Sequence, residues 1–190
     1  MKKNILKDVL KPIKYESMGD DDIKKYLPHV PIIKYSQFSN YKDINDILPK
    51  EESMMIYLIE DSPNTGHWCC LVKRNDEILN FDSYGNKIDS DLKWTPEQKR
   101  IELGVKDKYL SNILNNSDKC VKYNNIDYQS GLNNVATCGR HCVFFLTSGL
   151  SLEEYYKMMK RLKKHHKLTY DDIVSFFSLL RVKGQVRSNI

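Results

Sequence analysis

The feature that most constrains this chain is Met54-Met55-Ile56-Tyr57-Leu58-Ile59, six apolar residues without a polar interruption. A short continuous apolar run of this length is the pattern of a buried central strand. Pro63-Asn64-Thr65-Gly66 supplies turn chemistry directly after it. His67 to Val72 follows, rich in Trp, Cys, Leu and Val. Arg74-Asn75-Asp76 makes a tight polar turn, and Ile78 to Phe81 reads as a third strand. Three strands joined by short turns predict an antiparallel meander.

Helices are predicted on either side of it. Ser17 to Tyr26 reads as a short capped helix with acids in its first turn, ended by Pro28 and Pro31. Tyr41 to Leu48 reads as another, closed by Pro49, within a first fifty residues that are otherwise mixed and polar. Trp94 to Leu114 is charged and helical in pattern, with Pro96 at the first helical position. Another strand is expected near Val121–Tyr128. Cys138 to Leu146 is a dense apolar helix stopped by Gly149. Ser151-Leu152-Glu153-Glu154 is a capping box opening a helix to about Lys164. Thr169-Tyr170-Asp171-Asp172 opens the last helix, with Ile173, Phe176, Phe177 and Leu180 on one face. The class is α+β, in a single domain over residues 1–190. Its core spans about residues 54–146, with C-terminal helices over 151–182.

Composition narrows the function classes. With 8 Gly and 6 Pro in 190 residues, the chain is far from disordered or collagen-like usage. A 22.3 kDa chain can bury enough surface to form its own core. The longest apolar stretches fall well short of a membrane helix. Charges in Met1-Lys2-Lys3-Asn4-Ile5-Leu6-Lys7-Asp8 break up any signal-peptide core. Five cysteines, two of them adjacent at Cys69 and Cys70, do not read as a disulfide framework. The expectation is a soluble, intracellular, monomeric protein with reduced thiols and no membrane partner. A net charge of +5 permits a polyanionic partner without requiring one.

Three residues carry chemistry. His67 stands in Gly66-His67-Trp68, Asp82 in Phe81-Asp82-Ser83-Tyr84-Gly85, and Cys138 in Thr137-Cys138-Gly139. A free thiol is mostly protonated at neutral pH. A helix N-terminus and a neighbouring imidazolium both stabilise the thiolate. Cys138 gets the first from its own helix, and His67 can supply the second. Adjacent antiparallel strands let Asp82 reach the imidazole and fix its tautomer. Gly139, lacking Cβ, leaves room for a substrate backbone. Taken alone, Cys138 also reads as an inert buried thiol, Asp82 as a turn residue and Trp68 as core. Cys142 reads as core, and His141 as a surface or supporting residue. A zinc site from Cys138, His141 and Cys142 fits no structural zinc spacing, and no metal or other cofactor is expected to be required. Lys157, Lys160, Arg161, Lys163, Lys164 and Lys167 read either as the solvated face of an amphipathic helix or as a phosphate-contacting patch for DNA.

The order His-Trp, Phe-Asp-Ser-Tyr-Gly, Thr-Cys-Gly resembles the adenovirus maturation protease and the related SUMO-specific proteases, a clan also found in large DNA viruses and virophages. The resemblance is strongest from about Ile56 to Leu146, with weaker echoes at Asp20-Asp21-Asp22-Ile23 and Asp171-Asp172-Ile173-Val174. It implies a papain-like fold with the nucleophile at a helix N-terminus. Cys138 would be the nucleophile, His67 the base and Asp82 its orienting acid. A glutamine shortly before the nucleophile donates to the oxyanion in this clan; Gln129 is the match, with Asn133 and Asn134 as alternatives. Trp68 would narrow the cleft and favour small residues such as Gly before the cut bond. The implied role is cleavage of capsid or core precursors, with activation by DNA or a peptide. The alternatives are removal of SUMO or ubiquitin, or an inactive nucleic-acid-binding capsid protein.

Overall fold

The apolar run becomes the second strand of a five-stranded sheet. The computed structural model describes residues 5–131 and 134–187. The strands are β1 (Ile32–Lys34), β2 (Met54–Ser62), β3 (Thr65–Arg74), β4 (Glu77–Asp82) and β5 (Cys120–Tyr123), in spatial order 1-2-3-4-5. The three central strands are the expected antiparallel meander. Asn75 and Asp76, both at positive φ, form the two-residue turn between β3 and β4. The sheet as a whole is mixed, because both edge strands pair in parallel. The segments leading from β1 to β2 and from β4 to β5 are long enough for the crossover that parallel pairing demands.

Helices cover both faces, which is why β2 carries no polar alternation. On one face lie α1 (Ile5–Tyr15), α2 (Asp20–Tyr26), α6 (Cys138–Ser148), α7 (Leu152–His166) and α8 (Tyr170–Arg187). Ile56, Leu58, Trp68, Cys70 and Phe81 pack there against Cys142, Phe145, Tyr155 and Val174. Phe81 stacks on Phe145 at 4.5 Å between ring centroids. On the other face lie α3 (Ile44–Ile47), α4 (Glu97–Glu102), α5 (Tyr109–Asn115) and 3-10 turns at Tyr35–Asn40 and Ser90–Trp94. There Met55, Tyr57, Cys69 and Leu71 meet Tyr35, Phe38, Leu92 and Leu110. Cys69 and Cys70 point to opposite faces, and both are buried because both faces are covered.

The structure departs from the sequence expectations in several places. Residues 5–15 form a helix whose apolar positions Leu6, Leu10 and Ile13 recur at helical spacing, despite Pro12 inside it. The segment expected as one helix over 94–114 breaks into a 3-10 turn, α4 and α5. Gly104 at φ 84 lies between the two helices, and Pro96 is the N-cap of α4 rather than its first residue. The strand expected over 121–128 ends at Tyr123. The Ser151 capping box is present, with Ser151 N–H donating to Glu154 Oε2 at 3.0 Å and Glu154 N–H to Ser151 Oγ at 3.3 Å. Among the described residues no helix is long and apolar enough to cross a membrane.

Candidate active site

Strand register places the first two residues. Asp82, the last residue of β4, pairs with Cys69, which lies two positions beyond His67 on the same face of β3. Diagonal cross-strand neighbours are within side-chain reach. The Asp82 Oδ1 to His67 Nε2 distance is 2.7 Å, and both residues are buried. Asp82 is fixed from three further sides. Its Oδ1 accepts the Tyr84 N–H at 2.8 Å and its Oδ2 the Asn86 N–H at 3.2 Å. The Asn124 side chain brackets its peptide, accepting from Asp82 N–H at 2.9 Å and donating to Asp82 O at 2.7 Å. Gly85 sits at φ +70 where a Cβ would come within 2.8 Å of the Ile126 backbone, so the turn closes only with glycine. Burial alone would raise the Asp82 carboxyl; the hydrogen bond and charge of His67 bring it below the usual carboxylate range.

Cys138 is the first residue of α6, behind Thr137, and is partly exposed. Burial works against its thiolate. The hydrogen bond and positive charge of His67, then backbone hydrogen bonds to Trp68 and Gly139, outweigh burial and lower its pKa. Burial likewise opposes the His67 imidazolium, but its anionic surroundings raise its pKa well above the ordinary value. Cys69 is among those neighbours, yet burial pushes its own thiol well up and keeps it neutral, so Asp82 and Cys138 carry that effect. The arrangement favours a thiolate–imidazolium pair backed by a carboxylate.

The other expected residues fall in less open places. Trp68 is 5% exposed, its indole N–H donating to Met18 O at 2.9 Å, and it lines a cavity of about 120 Å³ with Leu58, Ile32 and Asn64. A Cβ on Gly139 would lie 3.1 Å from Met18 Cβ and 3.2 Å from Trp68 Cδ1. The missing side chain thus lets α6 close on Trp68 and the segment before α2, rather than opening space for a substrate as expected.

Gln129 is buried, with Oε1 accepting from Ser83 Oγ at 2.8 Å. Its Nε2 donates to Tyr84 Oη at 3.0 Å and to Val135 O at 2.8 Å, so both amide hydrogens are engaged. Asn134 is exposed at φ 61. Asn133 lies outside the described residues.

Residues that the sequence reading did not assign to the site hold these parts together. Asp171, at the start of α8, accepts from Thr137 Oγ1 at 2.5 Å and from Ser130 N–H at 3.2 Å, and lies 3.3 Å from His141 Nε2. One carboxylate thereby joins the residue after Gln129, the residue before Cys138 and the next turn of α6. His141 is fully buried in this contact, and Cys142 is core, its Sγ 3.4 Å from Trp68 O. Tyr84 lies tilted beside His67 with ring centroids 4.8 Å apart, and Trp94 meets the same imidazole edge-on at 5.7 Å. Behind His67, one donor atom each from His67, Cys69, Asp82 and Asp91 lies within 4.8 Å of the others. That cluster, not Cys138, His141 and Cys142, is the group of ligand-type side chains gathered among the described residues.

The fold is α+β around a central five-stranded sheet, an architecture of the SUMO-protease-like type shared with a viral cysteine protease. The crystal structure of the ASFV pS273R protease superimposes with a TM-score of 0.50 at 14% identity, over 88% of this chain and 68% of that one. A Se-Met form of the same protease gives 0.47, also at 14% identity, over 88% and 69%. No protein-family profile matches the sequence. The chain is 31% identical over 176 residues to uncharacterized protein V9 of Sputnik virophage, covering 90% of this chain and all of that protein. It belongs to the V9 family.

Proposed function

We propose that this protein is a cysteine endopeptidase with Cys138 as nucleophile, His67 as general base and Asp82 as its orienting acid. The observation that carries the reading is the buried His67–Asp82 contact at 2.7 Å, together with the lowering of the Cys138 thiol pKa by His67. The Cys138 thiolate attacks a peptide carbonyl carbon. The resulting oxyanion is met by backbone N–H groups at the start of α6 and by Gln129 Nε2, which exchanges the Tyr84 hydroxyl for the oxyanion. Protonated His67 gives its proton to the leaving amine, the C–N bond breaks, and water then hydrolyses the thioester with His67 as base. Trp68 and the cavity beside it favour small residues, Gly above all, before the cut bond.

The biological role we propose is cleavage of capsid or core precursors in the virion or the infected cell. Its support is a virophage relative and a fold shared with a viral protease. DNA is proposed as an activating partner, since all six basic residues of the segment 157–167 are exposed. Lys157 is bound to Glu153 at 2.6 Å, which leaves Lys160, Arg161, Lys163, Lys164 and Lys167 to meet phosphates.

The test is a peptide electrophile ending in Gly, with adducts located by mass spectrometry, with and without DNA. Labelling of Cys138 alone among five cysteines, abolished in His67→Ala, supports the reading. Uniform or absent labelling in both conditions overturns it.

A further inference from the structure

A second aspartate lies behind the catalytic imidazole, and no role assigned so far uses it. Asp91, in the 3-10 turn Ser90–Trp94, is 3% exposed, and its Oδ2 is 4.0 Å from His67 Nε2. Its Oδ1 is buried and finds no hydrogen-bond partner. Asp82 and Asp91 sit in the same buried cluster with His67 and Cys69. The donors are distributed one-sidedly. Asp82 collects His67 Nε2, the Tyr84 N–H and the Asn86 N–H. Two carboxylates sharing a buried site do not both ionise when a single imidazolium is the cation between them. The charge belongs on the carboxylate with the donors, and the proton on the other.

We propose that Asp91 is a positioning residue: a neutral carboxylic acid whose O–H donates to Asp82, so that the buried pair carries one negative charge and that charge faces His67. The proposal rests on the protease reading only for its effect on rate; the protonation itself does not. The surrounding groups agree with it. From β3, His67 attracts a charge on Asp91, while Cys69 is a neutral thiol. From β4, Asp82 repels it. From its own turn, Lys93 attracts it, and Asp89 is already engaged by the Tyr35 hydroxyl at 2.7 Å and the Ser111 N–H at 2.8 Å. From β2, the Tyr57 hydroxyl is committed to Asn80 Oδ1 at 2.7 Å. Burial, then the charge and hydrogen bond of Asp82, push the Asp91 carboxyl up to about 8.

The consequence is an alkaline limit set from behind the histidine. When Asp91 loses its proton, a second negative charge faces the imidazolium and holds its proton more tightly. Transfer of that proton to a leaving amine slows. Attack of the thiolate on an alkylating reagent needs no such transfer and does not slow with it. Peptide hydrolysis therefore falls to a lower plateau above about pH 8, while alkylation of Cys138 does not fall with it.

The experiment is carbon NMR of the full chain labelled at the aspartate carboxyl carbons, titrated from pH 3 to 10, beside pH–rate profiles for peptide cleavage and for alkylation. One carboxyl resonance is expected to titrate near pH 8 and to vanish in Asp91→Asn; Asp91→Ser assigns it should the asparagine variant not fold. The rate profile of the variant is expected to lack the alkaline fall shown by the unmutated protein. Titration of the Asp91 resonance below about pH 5 overturns the proposal even in an active protease. Titration near pH 8 in a protein that neither cleaves nor labels upholds the protonation and sinks the protease reading instead.

Discussion

Among the described residues, the two closest buried histidine–aspartate contacts stand in different surroundings. His67 and Asp82 meet at 2.7 Å at the ends of two strands; His141 and Asp171 meet at 3.3 Å between two helices. The first imidazole has Cys138 among the groups that raise its pKa, and the rings of Tyr84 and Trp94 beside it. The second is fully enclosed, and its Nδ1 has no partner. Its aspartate spends its oxygens on Thr137 and Ser130, fixing the segment that carries Gln129 and Cys138. The same two residue types make the pair proposed to be reactive where a thiol adjoins, and a clamp where none does.

Substitutions can break that contrast, and the largest effect is expected at the first histidine. His67→Ala should lower peptide cleavage by at least about 10⁴-fold with the fold intact by circular dichroism, because base and ion-pair partner leave together. Asp82→Asn keeps the shape but misdirects the tautomer, and should cost about 10²–10⁴-fold in kcat with a small change in Tm. A Tm loss as large as that of a core truncation would remove Asp82 from the chemistry.

The second pair should answer in stability. Asp171→Ala leaves Thr137, Ser130 and His141 without their acceptor and should cost about 3–5 kcal/mol in denaturant unfolding. Activity should fall as well, because the helix start and the Gln129 segment lose their tie. An unchanged unfolding midpoint would show that the clamp is dispensable. The pH dependence has a definite sign. Burial works against the Asp171 carboxylate, but His141, Thr137 and Ser130 hold its pKa below the usual value. Its contribution to stability is therefore present above the unfolded-state value and is lost as pH falls through the lower folded-state one. Unfolding curves from pH 6 down to pH 2 should show a smaller acid loss in Asp171→Ala than in the unmutated protein.

The smallest effect is expected far from both pairs. Lys157→Ala removes an exposed i,i+4 contact with Glu153 and should change stability by less than about 0.5 kcal/mol. Replacing Lys160, Arg161, Lys163, Lys164 and Lys167 together should leave unfolding nearly unchanged. The same replacement should flatten the salt dependence of DNA binding, if DNA is the partner.

Much of this contrast is legible in the sequence. The His67–Asp82 half lies on two adjacent strands joined by a two-residue turn, so local pattern alone fixes its register. Cys138 is marked by the apolar run that follows it and the glycine that ends its helix. The clamp was not legible in the same way. Asp171 opens a capped helix and reads locally as a first-turn acid, and its partners are 30 to 41 residues away. Asp91 lies in a polar Asp-Ser-Asp stretch that reads as a surface turn, and only the sheet above it takes it out of water. The smallness of Gly139 is legible in the sequence, but whether its missing Cβ faces a cleft or Trp68 depends on how the helix docks.

The sequence by itself determined the meander, the placement of His67 and Asp82 on one face, and Cys138 at a helix start. Those follow from periods of two and 3.6 residues and from turn chemistry, which act over a few residues. Only the tertiary structure decided the parallel edge strands, the burial of both Cys69 and Cys70, the engaged amide of Gln129 and the company that Asp82 and Cys138 keep. Each of those depends on which side chains are brought out of water together, and desolvation is a property of the packed molecule rather than of any stretch of chain.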